Sequence, residues 1–173
     1  MIKTKPALFL IFLFLAISSC KKSDLQYENE YDKSYKAWLS FKESSGNSYR
    51  YTVTGYSWTG ISWQTTISVT NGKITRRAFK YTLPVGSSVN IPPDALEWTE
   101  DENEINLHPN GAPAITLDEV YEKARSEWLT KRKNAKTYFE AKNNDLISSC
   151  GYVEDGCADD CFTGIRIGTI ERL

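Results

Sequence analysis

The spacing of apolar positions changes along the chain, and each spacing names an element. Ala7 to Ile17 form an uninterrupted apolar run. It is too short to cross a bilayer as a permanent helix, and it suits the apolar centre of a secretion signal. From residue 31 onward Tyr31, Tyr35, Trp38, Leu39 and Phe41 recur at helical spacing, and the pattern stops in the turn-forming ESSGN. This predicts a helix over 31–44. In SYRYTVTGYSW, Tyr49, Tyr51 and Val53 then alternate with Arg50, Thr52 and Thr54, the period-two signature of a half-buried strand. Two further β-rich runs in SWQTTISVTNGKITRRAFKY are joined by Asn71-Gly72, a dipeptide that tolerates the positive φ angles of a tight hairpin turn. Such a loop sets Val69 opposite Ile74. Counting on in twos from Ile74 meets Arg76 and Ala78, while Phe79 and Tyr81 lie in the other phase, so a bulge is expected near Arg76-Arg77.

Residues 82–115 hold most of the prolines, the acidic run TEDENE and the turn HPNGAP, and they read as a long excursion with at most a short helical turn at PPDALEW. Thr116 followed by Glu119 forms a capping-box signature, in which hydroxyl and carboxylate each satisfy a backbone N–H. Behind it Leu117, Val120, Tyr121, Ala124 and Trp128 make one apolar stripe, and Lys131, Arg132 and Lys133 suit the negative end of a helix. KTYFEAK and FTGIRIGTIE look like closing strands on either side of a cysteine cluster. The order α-β-β-β-loop-α-β-β predicts an α+β fold, a small antiparallel sheet with two helices packed on one face.

The termini change this picture from a fold to an address. Lys3 and Lys5 precede the apolar run, and Ser18 and Ser19 stand directly before Cys20. The segment ISSC resembles the lipobox of bacterial lipoproteins, in which the cysteine is acylated and becomes the mature N-terminus. The plainer alternative is an ordinary cleaved signal with an incidental cysteine. The expected organisation is a signal peptide over 1–19, the lipidated Cys20 with its tether over 20–30, and one domain over 31–173. The resemblance also implies a place in the bacterial cell envelope: the non-acidic Lys21 after the anchor permits transfer to the outer membrane, on its periplasmic or its surface face. Loss of residues 1–19 removes two of the 21 basic side chains and none of the 22 acidic ones, leaving a net charge of −3. That balance argues against nucleic acid as a partner.

Taken together, Trp38 followed by YRYTV, the hairpin ISVTNGKI, the capped TLDEVYEKA and the terminal segment from Gly151-Tyr152 to GIRI resemble a family of small secreted or lipid-anchored bacterial proteins known only as a domain of unknown function. The resemblance spans nearly all of residues 35–170. It carries no catalytic residue to this chain.

Candidate chemistry is sparse. The one histidine, His108, sits before a proline in a turn-rich loop, where bracing is the ordinary role, and one histidine cannot by itself define a Ser/His/Asp or Cys/His constellation. Gly55 and Gly60 lack the helix and lysine of a phosphate loop, and an acidic run such as TEDENE is ordinarily a solvated face. No catalytic residue, metal or cofactor is expected. Tyr56, Trp58 and Trp63 flank the turn SWTGIS, where flat rings at a hairpin tip would suit stacking on a sugar or a partner's apolar groups; the bland reading is that they complete the core. Three functions follow: a non-enzymatic envelope lipoprotein binding a protein or envelope component, a glycan-binding surface lipoprotein using these aromatics, and a hydrolase assembled from distant groups such as His108 and the loop carboxylates.

The segment SSCGYVEDGCADDCFTG contains Cys150, Cys157 and Cys161. Zinc would want a fourth ligand and no histidine is near, and the acids lack the spacing of an EF-hand loop. Outside the cytoplasm disulfides persist, so a staple is expected. Cys157–Cys161 fits the polar turn around Gly156, with Cys150 as a buried free thiol; Cys150–Cys161 is the alternative.

Overall fold

A computed structural model describes residues 24–58, 60–87 and 89–173. The expected signal segment and Cys20 lie outside the described residues. Helix α1 (Glu28–Ser44) starts three residues before the expected position, with Glu28 and Glu30 in its first turn, where they complement the helix dipole. It ends in a Schellman arrangement: Gly46 N–H reaches Glu43 O and Asn47 N–H reaches Lys42 O, with Gly46 at φ 59°.

The strands are β1 (Tyr49–Tyr56), β2 (Ser62–Thr70), β3 (Lys73–Thr82), β4 (Glu97–Asp101), β5 (Ala135–Glu140), β6 (Ser149–Glu154) and β7 (Thr163–Arg172). All pair antiparallel, in the order β4-β3-β2-β1-β7-β6-β5. Between β3 and β4 runs the helical turn α2 (Pro93–Leu96). Helix α3 (Leu117–Lys123) precedes β5 and continues into a π-helical turn, Ala124–Trp128.

This corrects the expected α+β fold, a small sheet with two helices packed on one face. The molecule is dominated by one seven-stranded antiparallel sheet with three helices, two of them short. The two additional strands have physical reasons for having been concealed. β4 lies in the supposed excursion, and its inward positions are Trp98 and Glu100, so a buried charge masks the period-two pattern. β6 carries Gly151 in mid-strand and runs into the cysteine loop, both of which read as turn.

Local signals that rest on backbone chemistry fare better. Asn71 and Gly72 both have positive φ, and Val69 faces Ile74. Ser68 then faces Arg76, which makes Thr75 the extra residue, one position before the expected bulge. The capping box forms as well: Thr116 Oγ1 accepts from Glu119 N–H while Glu119 Oε2 accepts from Thr116 N–H at 2.7 Å.

The core lies between one face of the sheet and the helices, and it is built from aromatic rings whose hydroxyls are satisfied. Trp38 of α1 stacks on Tyr121 of α3 and meets Tyr49 of β1 edge-on. Tyr49 Oη accepts from Leu117 N–H at 2.9 Å, Tyr121 Oη is hydrogen-bonded to Ser34 Oγ at 2.7 Å, and Tyr51 Oη donates to Ile115 O. Burial pushes the Tyr31 and Tyr121 phenols up to about 12, so they remain neutral donors. The other face of the sheet, with Arg50, Thr52, Thr54, Gln64, Thr66 and Lys80, is polar and turned to solvent.

Candidate binding cleft

The centre of the sheet divides at one place. β1 pairs with β7 from Tyr49 to Val53, with Gly168 as an extra residue because Thr52 faces Thr169 and Val53 faces Ile167. Beyond Val53 the two strands part: β1 stays with β2 through Tyr56, while β7 pairs with β6 from Arg166 down to Thr163. The ladder phases show which backbone groups face the gap. Ser57 N–H donates to Ile61 O and Ile167 N–H to Ser148 O. In an alternating ladder, Thr54 and Tyr56 on one side and Gly164 and Arg166 on the other therefore aim their N–H and C=O groups into it.

The gap is a cleft of about 490 Å³ lined by Val53 to Ser57, Trp63, Val153, Asp160, Cys161, Phe162, Gly164 and Arg166. A second cleft of about 510 Å³ adjoins it and shares Val153, Phe162 and Arg166; Tyr27, Tyr138, Phe139, Glu140 and Ser149 complete its wall. Each volume falls in the range of small-molecule sites.

Between the two clefts the Arg166 guanidinium lies 3.8 Å from the Phe162 ring centroid and 5.3 Å from that of Tyr56. Phe162 is near Tyr138, centroids 6.4 Å apart. The ring position depends on a glycine: a Cβ at Gly151 would come within 2.6 Å of the Phe162 ring. The Cys157–Cys161 disulfide closes the loop after β6, Cα atoms 6.2 Å apart, and this loop delivers Asp160, Cys161 and Phe162 to the cleft wall. Cys150 is a free thiol buried opposite Ile165, so the alternative Cys150–Cys161 bridge is not formed. Burial pushes its pKa far up, which makes it inert.

The aromatic trio at the first hairpin is divided by strand alternation. Tyr56, 65% exposed, lies on the open face beside Arg166, and Trp63, opposite Gly55, lies on the core face against Phe79. Both still line the cleft, because the cleft cuts through the sheet. Trp58, 78% exposed, stands apart from it. Phe162, Arg166 and Asp160 escaped the sequence reading. The alternation of FTGIRIG places Ile165 and Ile167 inward, so an outward arginine four residues after a phenylalanine was the available signal.

His108 has a different setting. It stacks on Trp98 at 4.3 Å between centroids, and its Nδ1 lies 3.1 Å from Glu100 Oε1. That buried carboxylate also takes both oxygens' bonds from Arg77 Nη1 and the backbone N–H groups of Asn106 and His108. Burial pushes the Glu100 carboxyl up, but the hydrogen bonds from His108, Asn106 and Arg77 outweigh it and hold the group below its ordinary value. Arg77 further donates to the carbonyls of His108, Asn110 and Ala112. The cluster folds the long loop onto β3 and β4. Neither cleft includes it. Among the described residues no group of three or more His, Cys, Asp or Glu side chains is placed to hold a metal, and no helix is long and apolar enough to cross a membrane.

Comparison with family models, with curated proteins and with solved structures finds no match in any of the three.

Proposed function

We propose that the protein is a non-enzymatic binding protein of the bacterial envelope, anchored at the outer membrane through a lipidated Cys20, and that it holds a saccharide in the cleft between β1 and β7. The observation that carries this reading is the end of the β1–β7 ladder at Val53 and Ile167, which leaves a concave site walled by Tyr56, Trp63 and Phe162 together with Asp160, Ser57 and Arg166. Sugars present apolar ring faces and a rim of hydroxyls, so a wall that mixes aromatic planes with polar groups of both signs matches them. The His108–Glu100 pair supplies no competing enzymatic reading. Its carboxylate is committed to Arg77 and two backbone N–H groups, and its imidazole lies outside both clefts.

The test is binding of the purified protein to an array of immobilised bacterial and plant polysaccharides, beside Tyr56→Ala. Tyr56 is largely exposed, so its removal should abolish binding and leave the melting temperature unchanged. Undiminished binding by the variant would refute the assignment of the cleft.

A further inference from the structure

The geometry points to an acidic oligosaccharide as the ligand, with the carboxylate of a uronic acid unit held by Arg166 and sugar rings lying in the clefts on either side of it. This rests on the saccharide reading of the cleft and narrows it.

Across β1, β7 and β5 the open face of the sheet carries a row of rings and cations. Tyr56 is followed by Arg166 at 5.3 Å and Phe162 at 3.8 Å from it, then Tyr138, then the Lys136 ammonium 5.2 Å from the Tyr138 centroid. Among the described residues neither Arg166 nor Lys136 has an acidic side chain within ion-pair distance. The Arg166 guanidinium also makes no hydrogen bond there, although it is half-buried. The Arg166 guanidinium lies against the Phe162 ring and near that of Tyr56, and a fork of N–H groups with fixed orientation fits a carboxylate bidentately.

The placement of Arg166 indicates an oligomer. It lines both clefts, one walled by Tyr56 and the other by Tyr138, so a chain crossing from one to the other passes its charge at the junction. The remaining charges distinguish a sugar acid from a plain polyanion. Asp160 lines the first cleft and Glu140 the second, the latter paired with Lys142 at 2.9 Å. Carboxylates accept from sugar hydroxyls, which a plain polyanion does not offer.

The experiment is calorimetric titration of the purified protein with oligogalacturonate and with its methyl ester, which keeps the sugar and removes the charge. Polyglutamate and a single-stranded oligonucleotide serve as polyanions without the sugar acid. The free acid should bind at least about tenfold more tightly than the ester, the scale of one charge-assisted pair. Arg166→Gln should erase that preference, bringing acid and ester to equal affinity. Should this variant not fold, the wild type decides alone, since the preference must shrink as salt rises. Equal binding of acid and ester, lost in Tyr56→Ala, would overturn the carboxylate assignment and leave the saccharide cleft standing. Polyglutamate or the oligonucleotide binding as tightly as the acid would overturn it in favour of a general anion site. Binding of neither acid nor ester would overturn the uronic acid assignment, and the polysaccharide array then decides the saccharide reading by itself.

Discussion

Arg77 and Glu100 face each other across the β3–β4 ladder, and Arg77 Nη1 lies 3.0 and 3.2 Å from the two carboxylate oxygens. Both side chains are buried, and the remaining valences of the pair go to the backbone of the loop that carries His108 and to the His108 ring. Removing one partner strands the other charge in a dry site, at a cost of about 3–5 kcal/mol. Arg77→Leu should therefore lower the urea midpoint steeply, and adding Glu100→Leu should recover part of the loss. A double mutant as unstable as the sum of the single ones would show that the two groups are not coupled.

The same pair makes stability depend on acid. The folded Glu100 carboxyl titrates below its unfolded value of 4.5, so its contribution is complete above that pH and is lost as pH falls through the lower, folded value. Thermal melts followed downward from pH 6 should show a decline below about 4.5, and this component should be absent in Glu100→Gln. An identical decline in that variant would place the acid sensitivity elsewhere.

Trp63 and Trp58 should separate cleanly in stability. Trp63 packs over Gly55 and against Phe79, so Trp63→Ala should cost roughly 2–3 kcal/mol, somewhat less than a fully buried tryptophan. Trp58 is largely exposed, and Trp58→Ala should change stability by less than about 0.5 kcal/mol. Parallel thermal melts of the two variants check this, and equal losses would contradict the division of the trio between sheet faces.

What was legible in the sequence was what backbone chemistry dictates locally. The Asn71-Gly72 turn, the Val69–Ile74 pairing, the Thr116–Glu119 cap and the Cys157–Cys161 bridge are all determined within a few residues. The sheet's extent was not, because β4 owes its place to an ion pair with Arg77, 23 residues away in sequence, and β6 to pairing on both sides of a glycine. The cleft was half legible. Tyr56 and Trp63 stand out in the sequence as aromatics flanking a hairpin turn, but their opposing wall comes from Phe162 and Arg166, 99 to 110 residues later. A gap between strands is a property of register, and no window of sequence displays it.

Amide chemical-shift mapping of the isotope-labelled protein during titration with oligogalacturonate locates the ligand proposed for the gap where β1 and β7 part. The largest shifts should fall at Thr54, Tyr56, Ser57, Phe162, Gly164 and Arg166, with those of the β3–β4 loop around His108 unchanged. Saturable binding with its largest shifts around His108, or on the helical side at α1, would contradict that placement.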